Sequence, residues 1–174
     1  MADAALRGGS APVALDVVNR VLAKSPDNAA ALEIQGDALT ALGRYDAATV
    51  AFEHALREDP SSVRARVGLG RLRLRTNPEE AERLFLEVHM RNPRDTIALN
   101  NLGIARDLQG HHADAQMAYR QALGIDPDLN AAQINLALSL ASERASAVPV
   151  RRKGGRTATA PMAPPGQPLS LIPQ

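Results

Sequence analysis

The spacing of four prolines constrains this chain more than any other feature. Pro26, Pro60, Pro93 and Pro127 stand 34, 33 and 34 residues apart, and Ala14, Ala48, Ala81 and Ala115 keep the same three intervals. So do Val18, Phe52, Phe85 and Tyr119, while Gly36, Gly70 and Gly103 lie 34 and 33 apart with Ala137 another 34 beyond. A period of this length means one supersecondary unit used several times, each copy burying its apolar face against its neighbour. The residue missing from the middle interval falls in the turn Thr76-Asn77-Pro78, because Gly36 to Ala48 and Gly103 to Ala115 span 12 steps whereas Gly70 to Ala81 spans 11.

Each period holds two helices. Gly43 and Gly110 interrupt the pattern midway, the prolines end it, and the stretches between carry apolar residues at i, i+3 or i+4. Helices are expected over 29–42 and 45–58, 63–75 and 79–91, and 96–109 and 112–124. Residues 13–24 match a second helix whose own first helix would have only Met1 to Arg7 to draw on, and 130–144 match a first helix without its partner. Aromatic residues make up 2% of the chain and Trp is absent, which argues against a sheet sandwich or barrel. The expected fold is therefore all-α, an α-α superhelix of antiparallel helix pairs. Its organisation is an N-terminal segment 1–12, a half repeat 13–28, repeats 29–62, 63–95 and 96–129, a capping helix 130–144, and a disordered Pro- and Ala-rich tail 145–174.

Gly36, Gly70 and Gly103 sit mid-helix, where glycine costs about 1 kcal/mol relative to alanine, so each is expected to admit a close neighbour. Ala48, Ala81 and Ala115 are expected to face them, with Phe52, Phe85 and Tyr119 filling the space between stacked units.

These residues resemble the tetratricopeptide repeat, whose pattern of large apolar, Leu-Gly, aromatic, Ala, Phe and Pro positions reads here as Leu32, Gln35-Gly36, Leu39, Ala48, Phe52, Pro60. It recurs as Arg66, Leu69-Gly70, Arg73, Ala81, Phe85, Pro93 and as Leu99, Leu102-Gly103, Arg106, Ala115, Tyr119, Pro127. Arg66 and Arg73 depart from the pattern, and the second repeat is expected to pack loosely. A narrower likeness runs from Ala98 to Gln116, through Tyr119 to Leu123, and from Asn135 to Ala141; this part is similar to the tetratricopeptide protein of tight-adherence (Flp-type) pilus assembly. Against that likeness, the chain has no Cys to carry a lipid and its first residues lack a basic start and apolar run.

The resemblance implies a non-catalytic scaffold with a concave groove that binds a peptide or partner helix. By the family pattern the groove is lined by Glu33, Asp37 and Thr40, then Arg64, Val67, Arg71, Leu74 and Arg75, then Ile97, Asn100, Ile104 and Asp107, and finally Ile134 and Leu138. Positions 33, 37, 40 and 64, 67, 71, 74 are helical i, i+3, i+4 sets, so each set shares one face. The groove is expected to be acidic, then basic, then apolar. Five Arg and no acid occupy 64–75; Arg64, Arg71 and Arg75 either fork to carboxylates of a partner or pair with Glu33 and Asp37 next door. Asn101 and Asn135, one period apart, are candidates to hold a ligand backbone, although Asn is also ordinary at a polar helix site.

Other chemistries find little support. The carboxylate clamp of chaperone-binding members needs Lys and Asn where this chain has Glu33 and Asp37, or Val67 and Arg71 one repeat later. His111-His112 lies in a turn with adjacent side chains about 100° apart, unlike a helical i, i+4 metal pair, and reads as two exposed turn histidines. Zero Cys excludes disulfides and thiolate metal sites, and no phosphate loop, HExxH or nucleophile elbow is present. No cofactor or metal is expected. The formal net charge of +1 conceals an excess of three acids in the first 144 residues, which is not the footprint of a nucleic-acid binder.

The expected partners are proteins, including pilus-assembly or secretion components; a soluble co-chaperone or regulatory adaptor is the alternative. No apolar run is long enough to span a membrane, so the expected location is cytoplasmic as written, and periplasmic or outer-membrane-associated if the true start lies upstream. Val13, Val17, Val18 and Val21 cannot all face the next repeat, which makes helix 13–24 a candidate for self-association. In the tail, Arg151-Arg152-Lys153 and Leu169, Leu171 and Ile172 are candidate contacts.

Overall fold

The computed structural model describes residues 2–147, and the tail features just named lie outside them. Nine α-helices follow one another among the described residues: α1 (Ala2–Arg7), α2 (Ala11–Leu22), α3 (Ala29–Ala41), α4 (Tyr45–Glu58), α5 (Val63–Arg73), α6 (Pro78–Arg91), α7 (Thr96–Leu108), α8 (His112–Ile125) and α9 (Asn130–Ala147). The short α1 packs on α2, so the N-terminal unit has a six-residue first helix, and α2 begins at Ala11, two residues before the expected start. At the other end α9 runs to Ala147, three residues past its expected limit.

Local chemistry sets the helix starts. Asn28, Ser62 and Asp95, spaced 34 and 33, accept hydrogen bonds from the backbone N–H of Ala31, Ala65 and Ala98 at 2.9, 3.0 and 2.9 Å, capping every first helix of the three full repeats. Gly43 and Gly110 follow α3 and α7 with φ of 72° and 80°, the left-handed turn that glycine adopts without strain. The second repeat lacks such a glycine. There α5 stops at Arg73, and Asn77 caps α6 with Pro78 in its first turn, which absorbs the missing residue.

Each helix packs on the next, and first helices also touch first helices, α1 with α3, α3 with α5 and α7 with α9; the second helices do not do so comparably. First helices therefore lie on the inner side of the curve, and their exposed faces form the concave wall.

The glycines make room for rings rather than for the alanines. A Cβ on Gly36 would stand 2.6 Å from Phe52, one on Gly70 2.8 Å from Phe85, and one on Gly103 2.3 Å from Tyr119. Gly68, which no periodicity singled out, does the same from the other side: its Cβ would lie 2.5 Å from the Phe52 ring. Ala48, Ala81 and Ala115 are fully buried around these rings.

The second repeat is not loose. Arg66 is 6% exposed, with Nη2 donating to the Pro60 carbonyl at 2.6 Å, Nη1 to the Ser62 carbonyl at 3.2 Å and Nε to Glu87 at 2.8 Å. Arg73 ties Glu53 of α4 to Glu80 of α6 at 2.8 and 3.0 Å. Long aliphatic stems cover apolar surface while the guanidinium supplies directed bonds, so arginine replaces the expected large apolar residues.

Arg106 at the matching position of the third repeat donates to Glu82 at 2.8 Å, and Gln109 donates to the same carboxylate at 2.7 Å. Burial pushes the Glu82 pKa up, but these two bonds outweigh it and hold it below its ordinary value of 4.5. A carboxyl depressed in the folded state stabilises the fold above its unfolded pKa, and that contribution fades as pH falls through the carboxylate range. Glu82→Gln is thus expected to cost about 1 kcal/mol or less at neutral pH, with the gap to wild type closing below pH 4.5; urea midpoints across that range check it.

Candidate functional site

At the N-terminal end of the concave wall the acids are committed within the fold. Glu33 accepts a hydrogen bond from Ser62 Oγ, and Asp37 accepts one from Arg64 Nε at 2.7 Å. Arg64 also reaches Asp3 of α1 at 2.9 Å. Burial draws the Arg64 pKa down, yet its bonds to Asp37 and Asp3 prevail and leave it raised. The expected acidic zone is thereby neutralised, and Arg64 belongs to the scaffold rather than to the free surface.

Further along, Val67 and Leu74 are half-buried against the cluster of Ala81, Phe85 and Leu102, so they serve packing more than the groove. Arg71 and Arg75 are exposed and make no ion pair among the described residues. With Thr40, Tyr45, Asp46 and Thr76 they line a cavity of about 520 Å³ where α5 ends beside the α3–α4 turn. Thr40 donates to the Gly36 carbonyl at 2.8 Å and contributes wall to this cavity. Tyr45, the first residue of α4, was not anticipated; it lies outside the first-helix set that the repeat pattern assigns to the groove.

The C-terminal part is aliphatic above a polar floor. Ile97, Ile134 and Leu138 are 60%, 60% and 61% exposed, and Ile104 is half-buried. Beneath them Asn135 Nδ2 donates to Asn100 Oδ1 at 2.9 Å, joining α9 to α7. Asn100 and Asn101 are each only 8% exposed. An asparagine ladder facing a ligand is thus not what the side chains form: Asn135 is held by Asn100, its neighbour across the helix pair, and Asn101 is turned into the fold.

Asp107, expected in the groove lining, is likewise engaged. It accepts from Tyr119 Oη at 2.9 Å and Ser139 Oγ at 2.7 Å, and its Oδ1 lies 2.8 Å from His112 Nδ1. His112 is therefore half-buried and bound to Asp107, and only His111 is the exposed turn histidine that was expected. Burial first, and then the bond to Asp107, pushes the Tyr119 phenol well above its usual range, so it remains a donor. The Asp107 cluster floors a second hollow of about 230 Å³ lined by Ile104, Leu108 and Leu138.

The one set of ionisable side chains with metal-compatible proximity among the described residues is Asp27, His54 and Glu58, whose donor atoms lie within 4.8 Å of one another. His54 is already 3.2 Å from Asp27 and 3.7 Å from Glu58. At the N-terminal edge Val18 is buried, Val17 half-buried, and Val13 and Val21 exposed. No helix among the described residues is long and apolar enough to cross a membrane.

Antiparallel helix pairs stacked at this period, each with an aromatic ring seated against a mid-helix glycine, define an α-solenoid. Family models for the tetratricopeptide repeat match residues 1–53, 39–103 and 97–129, and the chain belongs to that family. It is similar to the uncharacterized protein y4yS of Sinorhizobium fredii (strain NBRC 101917 / NGR234), 38% identical over 96 residues that cover 52% of this chain and 53% of the relative. It is 33% identical over 118 residues to a TPR repeat-containing protein of Treponema pallidum (strain Nichols), covering 66% of this chain and 15% of that protein. The chain thus spans about half of the first relative and a small part of the second. Among solved structures it resembles MamA, with a TM-score of 0.72 at 21% identity over 83% of this chain and 85% of that one. MamA 41-end from Desulfovibrio magneticus RS-1 gives a TM-score of 0.67 at 22% identity over 84% and 93%. At such identity these structures speak to the fold.

Proposed function

We propose that the chain is a non-catalytic scaffold whose concave face holds a peptide segment or a partner helix of a larger assembly. The observation that carries this is the aliphatic row Ile97, Ile134 and Leu138 on α7 and α9, exposed on inner faces that the Asn135–Asn100 bond holds together. Scattered exposed apolar residues need no explanation, but a row on a concave wall fits a binding surface. Burying one such side chain contributes about 1.5–3 kcal/mol. Ile134→Asp with Leu138→Asp is expected to weaken binding of library-selected peptides at least tenfold while helicity is retained; unchanged affinity would sink the reading.

The finer reading places the scaffold in Flp-type pilus assembly or secretion. It is supported by the likeness of Ala98 to Gln116, Tyr119 to Leu123 and Asn135 to Ala141, and it predicts genes for a pilus ATPase, a secretin or a prepilin beside this one. The alternative, a soluble co-chaperone or regulatory adaptor, lacks the Lys and Asn of a carboxylate clamp at Glu33 and Asp37 or at Val67 and Arg71. Self-association through the exposed Val13 and Val21 is an additional contact, which light scattering over a range of concentrations tests.

A further inference from the structure

Of the five arginines between 64 and 75, three are occupied within the fold: Arg64 by Asp37 and Asp3, Arg66 by Glu87 and two carbonyls, Arg73 by Glu53 and Glu80. Arg71 and Arg75 stand apart. They are four residues apart, both exposed, and open onto the cavity of about 520 Å³ where α5 ends beside the α3–α4 turn. Arg71 stands on the last turn of α5 and Arg75 in the turn that follows it, and both line the same cavity, so the two guanidinium groups can address one anion together.

We propose that this cavity anchors a carboxylate of an acidic peptide segment lying in the concave groove, an inference that rests on the groove reading above. The wall carries two guanidinium charges and the single acid Asp46, a local excess of one positive charge. That excess matches one carboxylate. A phosphate dianion would exceed it and would sit against Asp46, which α4 retains in its first turn where the helix dipole favours an acid. Guanidinium forks fit the planar carboxylate with two parallel N–H···O bonds. The Thr76 hydroxyl supplies a further donor on the same wall, and the half-exposed Tyr45 ring offers an apolar shelf beside it for the adjoining side chain of the segment.

The test uses the full chain, immobilised, and a random twelve-residue peptide library displayed on phage. Selection on the wild type is expected to enrich peptides bearing Asp or Glu. Binding of those peptides is expected to fall at least tenfold in the Arg71→Ala/Arg75→Ala double variant, since each guanidinium removed takes its charge-assisted hydrogen bonds with it. Arg57→Ala, which removes an exposed charge from α4, is expected to leave it unchanged. Acidic peptides that bind the double variant as tightly as wild type overturn the proposal, as does displacement by inorganic phosphate far exceeding that by acetate at matched ionic strength. Enriched peptides without acids, lost in the Ile134→Asp/Leu138→Asp variant, overturn the carboxylate anchor alone and leave the groove reading standing. No enrichment on the wild type overturns both.

Discussion

Phe52→Ala is expected to destabilise the chain by about 3–5 kcal/mol, the range for removing a large buried aromatic side chain. Phe52 is fully buried, and its ring lies between two glycines, with would-be Cβ atoms 2.6 Å away on Gly36 and 2.5 Å away on Gly68. The ring thus joins the first repeat to the second. Because contacts in a stacked array pass only between neighbours, the loss should appear as faster amide exchange in α3, α4 and α5 more than in α8 and α9. The same geometry makes alanine at either glycine costly. An added methyl at Gly68 pushes the ring toward Gly36 and vice versa, so neither side can yield, and overpacking of this kind costs about 1–3 kcal/mol. Helix propensity returns about 1 kcal/mol of that, leaving Gly68→Ala with a net loss of about 2 kcal/mol or less. Phe52→Leu combined with Gly68→Ala should be less destabilising than the sum of the two changes, since the smaller side chain vacates the space that the methyl needs. Strict additivity in urea melts would show that Gly68 and Phe52 do not share that space.

The period was legible because it is a property of the chain alone: Pro26, Pro60, Pro93 and Pro127 place the second-helix ends, and Gly43 and Gly110 place the turns, without knowledge of what packs where. The caps at Asn28, Ser62 and Asp95 are local in the same sense, since each bonds three residues ahead. What could not be read were contacts set by how one unit rotates against the next. Gly68 shares no interval with Gly36, Gly70 and Gly103; its meeting with Phe52 depends on how α5 packs against α4. Asn135 was aligned by period with Asn101, but on a helix one residue is a turn of about 100°, and the neighbour that α9 meets is Asn100. At Arg66 the repeat pattern shows only that an apolar residue is missing, whereas its surroundings supply the Pro60 and Ser62 carbonyls and Glu87. For the groove this leaves a clear division. The expected lining residues lie on first helices, but hydrogen bonds and ion pairs engage Glu33, Asp37, Arg64 and Asp107 within the fold, while Arg71, Arg75 and the aliphatic row stay exposed.

Asp107→Ala is expected to cost about 3 kcal/mol and to loosen α9 selectively. The carboxylate is the shared acceptor for Tyr119 Oη on α8 and Ser139 Oγ on α9, and it sits beside His112 Nδ1. Tyr119 and Ser139 are 1% and 2% exposed, so both donors are buried. A buried donor left without an acceptor costs about 1–3 kcal/mol. Ser139 keeps a long contact to the His112 carbonyl at 3.4 Å, so the larger share falls on the phenol. Two companion variants separate this from a change of shape. Asp107→Asn retains an acceptor oxygen and should lose about 1 kcal/mol, whereas Tyr119→Phe in the Asp107→Ala background removes the orphaned hydroxyl and should recover about 1 kcal/mol. The readout that matters for function is amide exchange along α9, which α7 holds through Ser139–Asp107 and Asn135–Asn100 and α8 through Gln116–Glu143 at 2.8 Å. If exchange in α9 stays at the wild-type rate, the apolar contacts among Leu99, Ala122 and Ala132 hold the helix unaided. If it rises, the Asp107 cluster keeps Ile134 and Leu138 in register with Ile97, and peptide binding should weaken in Asp107→Ala although the residue touches no ligand.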